Sequence, residues 1–373
     1  MREPTECPFA LSTSGCDFGN SGVGVFAREV VPRLVSSLHR RGLRSILVGS
    51  RAERIGIGVD PSSGFRLPSA LDAPGPNALF AFAALPLLAR AARARALYLP
   101  AANRRVVALP TVPTVGTVHD LAQFHVENKY GRARDLYVRR ILTPTLRRLS
   151  LVLAVSEATA DDVTALAGVP RSRIRVVHNG ISLPRPERPL PPWPHPYLLY
   201  PARLEHPGKN HLALISAFSR SRARLTHDLL LTGKNWGAQT LIEDAIRRQD
   251  LSNRVHVLGY LSRSDLVGRM AAADGIVVAG LFEGFGLQAA EALALGIPVA
   301  VSNTGSLPEV AGGLAASFDP RDVDSIARGL DAIVSDPLLR ARCRDLGPVH
   351  SQRFSWDRCA EAVVDALIEV GSP

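Results

Sequence analysis

The sequence predicts an α/β fold built as two successive units, and three observations carry that expectation. A chain of 373 residues exceeds what one ordinary core fills. Short apolar, β-branched runs alternate with amphipathic helical patterns along almost all of it, as parallel sheets covered by helices require. One stretch, Leu183 to Pro196 (LPRPERPLPPWPHP), carries seven prolines, so no helix or interior strand can run through it and it reads as a semi-rigid linker.

Composition sets outer limits. With 46% hydrophobic and 21% charged residues the chain is globular rather than disordered. Cys7, Cys16, Cys343 and Cys359 lie at opposite ends without metal-ligand spacing, which fits reduced thiols in a cytoplasmic protein. No apolar segment follows the opening MREPTECP, so no secretory signal is expected. The longest apolar tract, Ala78 to Leu88, is too short to span a bilayer and contains Pro86. Charge is uneven: residues 1–185 carry 25 Lys plus Arg against 13 Asp plus Glu, a surplus of +12, and the remainder carries 19 against 21, or −2. A basic first half attracts anionic surfaces, either lipid headgroups or a phosphorylated acceptor, and allows peripheral contact with an anionic membrane. Nucleic acid is the usual rival, but neither zinc-finger spacing nor a ribonucleoprotein aromatic motif is present.

In the first half, Phe9 to Ser12 reads as a short strand, followed by the Gly-rich loop STSGCDFGNSGVG with Gly22 and Gly24 at its end. Val25, Phe26, Val30, Val31, Leu34, Val35 and Leu38 then share one helical face, with Pro32 expected to kink that helix. Strand, glycine loop and helix together suit phosphate, because a backbone without side chains approaches closely. Residues 44–49 and 96–100 read as further strands. Between them, residues 79–96 read as an Arg-studded amphipathic helix that either covers a sheet or lies on a membrane. Thr114 to Val118 is a strand that delivers His119 and Asp120 to its carboxyl edge, where open α/β sheets bind ligands. Tyr130 to Leu149 is a strongly basic segment, either a solvated face or an acceptor contact. Leu151 to Ser156 forms the next strand, Ser156 caps a helix over SEATADDV, and IRVVHNGIS is the last strand of this half.

The second half opens with a strand at Tyr197 to Tyr200 that delivers Arg203, and Lys209 follows at a helix start. Two cations there can neutralise a diphosphate as it becomes a leaving group. Strands at Asp228 to Thr232, Val255 to Leu258, Gly275 to Ala279 and Val299 to Ser302 continue the sheet. Leu281 to Pro298 (LFEGFGLQAAEALALGIP) reads as a loop feeding a short helix that Gly296 ends. Its first-turn N–H groups and dipole make it a seat for phosphate. Glu283 lies in the loop before that helix and Glu291 on its body. FSWDRCAEAVVDALIEV is a final helix with Ser355 as a cap.

EGFGLQAAEALALGIPV, ARLEHPGKN, TVHDL and the first glycine loop together resemble the retaining glycosyltransferases of family 4, and the resemblance covers nearly the whole chain. It implies the GT-B fold, two Rossmann-like domains facing each other across a cleft. The domains expected are 1–185, joined by the helix 354–373, and 186–353. It further implies a nucleoside-diphosphate-sugar donor (GDP-mannose, dTDP-rhamnose or UDP-glucose type) and a glycan or lipid-linked acceptor. No cofactor and no metal are expected, since cations and a helix dipole do a metal's work. Carried over residue by residue, His119 and Glu283 meet the donor sugar, Arg203 and Lys209 its phosphates, and Glu291 the ribose. The base lies against the backbone of Tyr260 and Leu261. Gly22, Gly24, Gly284, Phe285, Gly286 and Leu287 stand close to the diphosphate. Asp120 is not carried over: it either orients loops or meets the acceptor, and it is not assigned as a base. The chain departs from the family where the long apolar first strand is shortened to FALS.

Three rivals follow from the same residues: an epimerase or phosphorylase on this fold, a non-catalytic binding protein, and a nicotinamide dehydrogenase. The last is disfavoured because the first loop lacks a clean Gly-x-Gly-x-x-Gly.

Overall fold

A computed structural model describes residues 7–17, 21–60, 62, 64–65, 67–127, 129, 131–186 and 189–372. Residues 18–20 of the glycine loop, Tyr130 at the head of the basic segment, and linker residues 187 and 188 therefore lie outside the described residues. The chain divides into two compact units. Met1–Leu121, Gly131–Gly180 and Ser355–Pro373 form the first, and Ala122–Tyr130 with Ile181–Phe354 form the second.

The first unit is built on β1 (Phe9–Ser12), β2 (Ser45–Val48), β3 (Leu97–Leu99), β4 (Thr114–Val118), β5 (Leu151–Ala154) and β6 (Ile174–Val176). All pairings are parallel and the order is β2-β1-β3-β4-β5-β6. From β1 the chain first moves outward to β2 and then returns to the other side of β1 to lay down β3. Such a reversal opens a crevice at the carboxyl ends of the two strands, where loops diverge. FALS, short as it is, is fully buried and pairs on both sides.

Helix α1 (Gly22–Arg40) starts at Ser21, whose hydroxyl accepts from Gly24 N–H, and runs through Pro32 without a break. It buries Phe26, Val30, Val31, Leu34 and Leu38, whereas Val25 and Val35 are only half-buried. The terminal helix Trp356–Gly371 packs along it, with Arg33–Asp357 and Arg41–Asp365 ion pairs at the rim. Helix α2 (Arg51–Gly56) begins with a capping box between Ser50 and Glu53, and α3 (Glu157–Ala167) is capped by Ser156.

Residues 79–96 do not form the single helix expected of them. The helical stretch starts earlier, at Pro74, widens into a π turn over Phe80–Ala84, and ends at Ala91. Pro86 lacks an N–H and crowds the carbonyl four residues back, and the widened turn relieves that crowding. Arg93, in the left-handed region at φ 54°, closes the stretch off. A second π turn, Val138–Leu142, stands in the same relation to Pro144.

The second unit has β7 (Tyr197–Pro201), β8 (Asp228–Thr232), β9 (Val255–Gly259), β10 (Gly275–Val278), β11 (Val299–Ser302) and β12 (Ala316–Phe318). They are parallel in the order β12-β11-β10-β7-β8-β9, so this sheet reverses between β7 and β10. Helices α4 (His211–Arg220), α5 (Arg263–Ala271) and α6 (Leu287–Ala294) follow β7, β9 and β10. The linker is fastened to this unit by Trp193, whose indole N–H donates to buried Asp228 at 2.8 Å. Among the described residues no helix is long and apolar enough to cross a membrane.

Candidate functional site

The reversal between β7 and β10 gathers the charged residues of the second unit. Arg203 follows β7, Lys209 leads into α4, and Glu283 lies on the loop after β10. Lys209 Nζ donates to Glu283 Oε1 at 2.6 Å, and the two side chains are only 16% and 15% exposed. Lys209 is held in turn by its own carbonyl, which accepts from the buried Tyr200 hydroxyl at 2.6 Å, and Leu281 N–H donates to Gly208 O at 3.0 Å. Arg203 pairs with Glu205 at 2.8 Å and lies over the Trp236 ring at 4.2 Å. Glu205 stands inside ARLEHPGKN without a role implied for it there, and Trp236, beyond β8, has no signal in the sequence.

The Glu283 loop is wired shut from behind. Ser306 donates to Glu283 O through both its amide (3.1 Å) and its hydroxyl (3.0 Å), and Thr304 Oγ1 donates to Leu281 O at 2.9 Å. Gly286 takes φ 82° at the start of α6, and a Cβ there would sit 2.4 Å from Leu307 Cδ2. That left-handed turn aims the helix start. Phe285 is buried against Phe354, ring centroids 5.3 Å apart, so of this residue only the backbone can face a ligand. Within the same unit, Phe282 packs with Ala122 and Val126 and stacks on His125 at 4.1 Å. At its far end α6 closes with Gly296 N–H to Leu293 O and Ile297 N–H to Ala292 O, both 2.9 Å, a Schellman motif that satisfies the last carbonyls.

Glu291 is 3% exposed on the body of α6. Burial raises its pKa, while the charge of Arg263 and its hydrogen bonds pull the other way. Arg263 Nη1 donates to Oε2 at 3.1 Å and Nη2 to Oε1, so both carboxylate oxygens are engaged. Arg263 sits one residue after Ser262, the cap of α5, and three after Tyr260, which is 74% exposed. The sequence reading missed it, because one arginine in LSRSDL gives no clue to a carboxylate 28 residues on.

The first unit holds the remaining expected residues. His119, 7% exposed after β4, has its ring edge-on to Phe26 at 4.7 Å, and burial lowers its pKa to about 4. Nε2 lies 2.8 Å from Pro100 O. A carbonyl only accepts, so Nε2 carries the proton and Nδ1 keeps a lone pair. Asp120 follows, half-buried, and its carbonyl accepts from Asn103. Gly22 is exposed at the first turn of α1, but the Gly24 amide is already committed to Ser21 Oγ. Arg104, also missed, sits at the β1–β3 reversal. It reaches Gly15 O and Ser21 Oγ and pairs with Asp17. Behind it, Glu53 is buried and accepts from Thr13, Ser50 and Asn77, with Asn77 accepting in turn from Arg105.

Comparison with known proteins matches residues 187–348 to the family described as glycosyl transferases group 1 and residues 21–185 to glycosyltransferase family 4. O-antigen chain mannosyltransferase B of Escherichia coli is 30% identical over 265 residues, covering 68% of this chain and 69% of that protein. Glycogen synthase of Mycobacterium tuberculosis is 29% identical over 265 residues, covering 69% of this chain but only 63% of its own length. Among solved structures, HepE of Anabaena in complex with UDP and glucose superposes with a TM-score of 0.71 at 20% identity, over 98% of this chain and 100% of that one.

Proposed function

The chain belongs to glycosyltransferase family 4, with two Rossmann-like domains of the GT-B type, and from that premise we propose that it moves a hexose from a nucleoside-diphosphate sugar to a glycan or lipid-linked acceptor. Retention of configuration and independence of metal are part of the proposal. Mannose is the first sugar to try, because a similar protein is named a mannosyltransferase, and the UDP bound by HepE keeps uracil beside guanine as a base.

The observation that carries the reading is the trio Arg203, Lys209 and Glu283 at the reversal of the second sheet, tethered to one another's loops and each cation already facing an anion. A diphosphate entering there takes the place of Glu205 on Arg203 and of Glu283 on Lys209, with the start of α6 as a third positive pole. Glu283, released from Lys209, accepts from a hydroxyl of the donor sugar. The bond between the anomeric carbon and the phosphate oxygen breaks, and the acceptor oxygen bonds to that carbon from the same face. The acceptor's proton passes to the departing phosphate oxygen. Arg203 and Lys209 stabilise charge where it develops, in place of a metal. Glu291 accepts from the ribose, the backbone at Tyr260 and Leu261 meets the base, and neutral His119 offers Nδ1 to a sugar hydroxyl.

The first unit presents a surface suited to an amphiphilic acceptor. Leu79, Leu87 and Leu109 are 68%, 61% and 66% exposed. Phe82, Ile141, Arg140, Arg147 and Arg148 surround a cavity of about 380 Å³. Apolar side chains framed by arginines fit the interface of an anionic bilayer.

The test is transfer by the purified full chain from GDP-mannose, UDP-glucose and dTDP-rhamnose, with and without chelator, the product anomer being read by NMR. One donor is expected to be used with its anomeric configuration kept and no response to chelator. An inverted product overturns retention, and activity lost with chelator and restored by a divalent ion overturns the charge argument.

A further inference from the structure

Resting on the reading of Glu291 as the ribose acceptor, we propose that Arg263 is the positioning residue that presents the Glu291 carboxylate to the donor ribose and joins it to the base-binding loop.

A glutamate on a helix body has three rotatable side-chain bonds, and a buried carboxylate needs a partner to stay ionised at all. At Glu291 that partner is bidentate: the guanidinium plane of Arg263 fixes the carboxylate plane, and each oxygen keeps a lone pair for a further donor. Arg263 is itself pinned, since Nη2 also donates to Ser182 O at 2.6 Å. Three acceptors in a fork leave the guanidinium one orientation. The chain carrying it is equally constrained, because Ser262 caps α5 by accepting from Asp265 N–H at 3.1 Å. Tyr260 and Leu261, whose backbone is assigned to the base, come immediately before that cap.

The carboxylate for the ribose and the loop for the base are thus parts of one hydrogen-bonded assembly, separated along the chain by the whole of α5 and β10. Lysine could supply the charge but not the planar fork, so Arg263→Lys should keep the charge and lose part of the geometry. The arginine is 37% exposed, accessible enough for a bound nucleotide to lie against it.

The experiment is calorimetric titration of the full chain with ADP, GDP and UDP, then with the 3′-deoxy counterpart of the tightest binder, in wild type, Glu291→Gln, Arg263→Ala and Arg263→Lys. Inorganic pyrophosphate serves as a control ligand for the intact phosphate site. Wild type should lose about tenfold or more in affinity on removal of the hydroxyl, as a hydrogen bond to a charged group predicts. Arg263→Ala should cut that discrimination to about twofold while binding pyrophosphate as wild type does, and Arg263→Lys should fall between. Full discrimination in Arg263→Ala overturns the positioning role, as does pyrophosphate binding lost in parallel with the nucleotide in both arginine variants. Discrimination kept in Glu291→Gln, or absent from wild type, instead overturns the ribose reading on which the role rests.

Discussion

Lys209 and Glu283 illustrate how much one pair of side chains decides. Each is mostly covered, so removing one leaves the other a charge without its partner, at a cost of about 1–3 kcal/mol. Lys209→Ala should therefore lower the thermal midpoint by several degrees and reduce kcat by about 10²- to 10³-fold, the usual loss when one electrostatic stabiliser is removed. Full activity in a folded Lys209→Ala protein would refute the assignment. His119 makes a prediction of the opposite kind, about pH. Its folded pKa lies near 4 against an ordinary 6.5, so between those values the unfolded chain binds the extra proton. Its contribution to stability is complete above 6.5 and is lost as pH falls toward 4, about 3 kcal/mol in all. His211, likewise pushed to about 4, acts in the same direction. The check is the difference between wild type and His119→Gln in urea midpoints across this range: a constant difference would contradict a buried, neutral imidazole. Residues of this class were legible only in part. Arg203, Lys209 and Glu283 stand in motifs that name their chemistry. Arg263 and Arg104 do not, and Glu205 stands inside ARLEHPGKN with no role read for it, because the partner that gives each its meaning is brought near by sheet topology or by a turn of loop.

Among the elements, the strands were read closely because fully buried parallel strands are short β-branched runs between breakers, and tertiary context adds little to that pattern. TVGTV, DLLLT and VAVS end where their composition ends. The helix over residues 79–96 was misread for an equally physical reason. Apolar and arginine periodicity gave its type, but it could not foretell that Pro86 would be absorbed by a π turn or that Arg93 would adopt a left-handed backbone. Helix α6 was legible at both ends, since Gly286 and Gly296 each occupy positive φ. At Gly296, φ 69° combines with an added Cβ only 3.2 Å from the Arg344 backbone. Gly296→Ala should therefore destabilise the protein by about 1–2 kcal/mol. The donor KM should be unchanged, since the Schellman turn lies at the end of α6 away from Gly286. A shifted KM without lost stability would mean that the turn serves the ligand and not the helix.

For the whole molecule, the unequal charge of the two halves predicts unequal behaviour. Co-sedimentation should show binding to vesicles containing anionic phospholipid and not to neutral ones, falling steeply as salt rises past about 0.5 M. Arg140, Arg147 and Arg148 changed together to glutamine should weaken it at least tenfold. Binding equal on neutral vesicles would assign the apolar residues, not the arginines, as the cause. The later half, at −2, is near neutral although it is the half assigned to the diphosphate. Glu205 and Glu283 contribute to that balance, each sitting on one of the two cations proposed for the diphosphate, Arg203 and Lys209. On the proposed reading such a tethered counter-anion has to be displaced before any anion binds, which disfavours orthophosphate or citrate against a ligand that adds sugar and nucleoside contacts to its diphosphate. On the same reading each carboxylate returns to its cation as the spent diphosphate leaves, so the same carboxylates that keep the resting pocket selective would hasten product release.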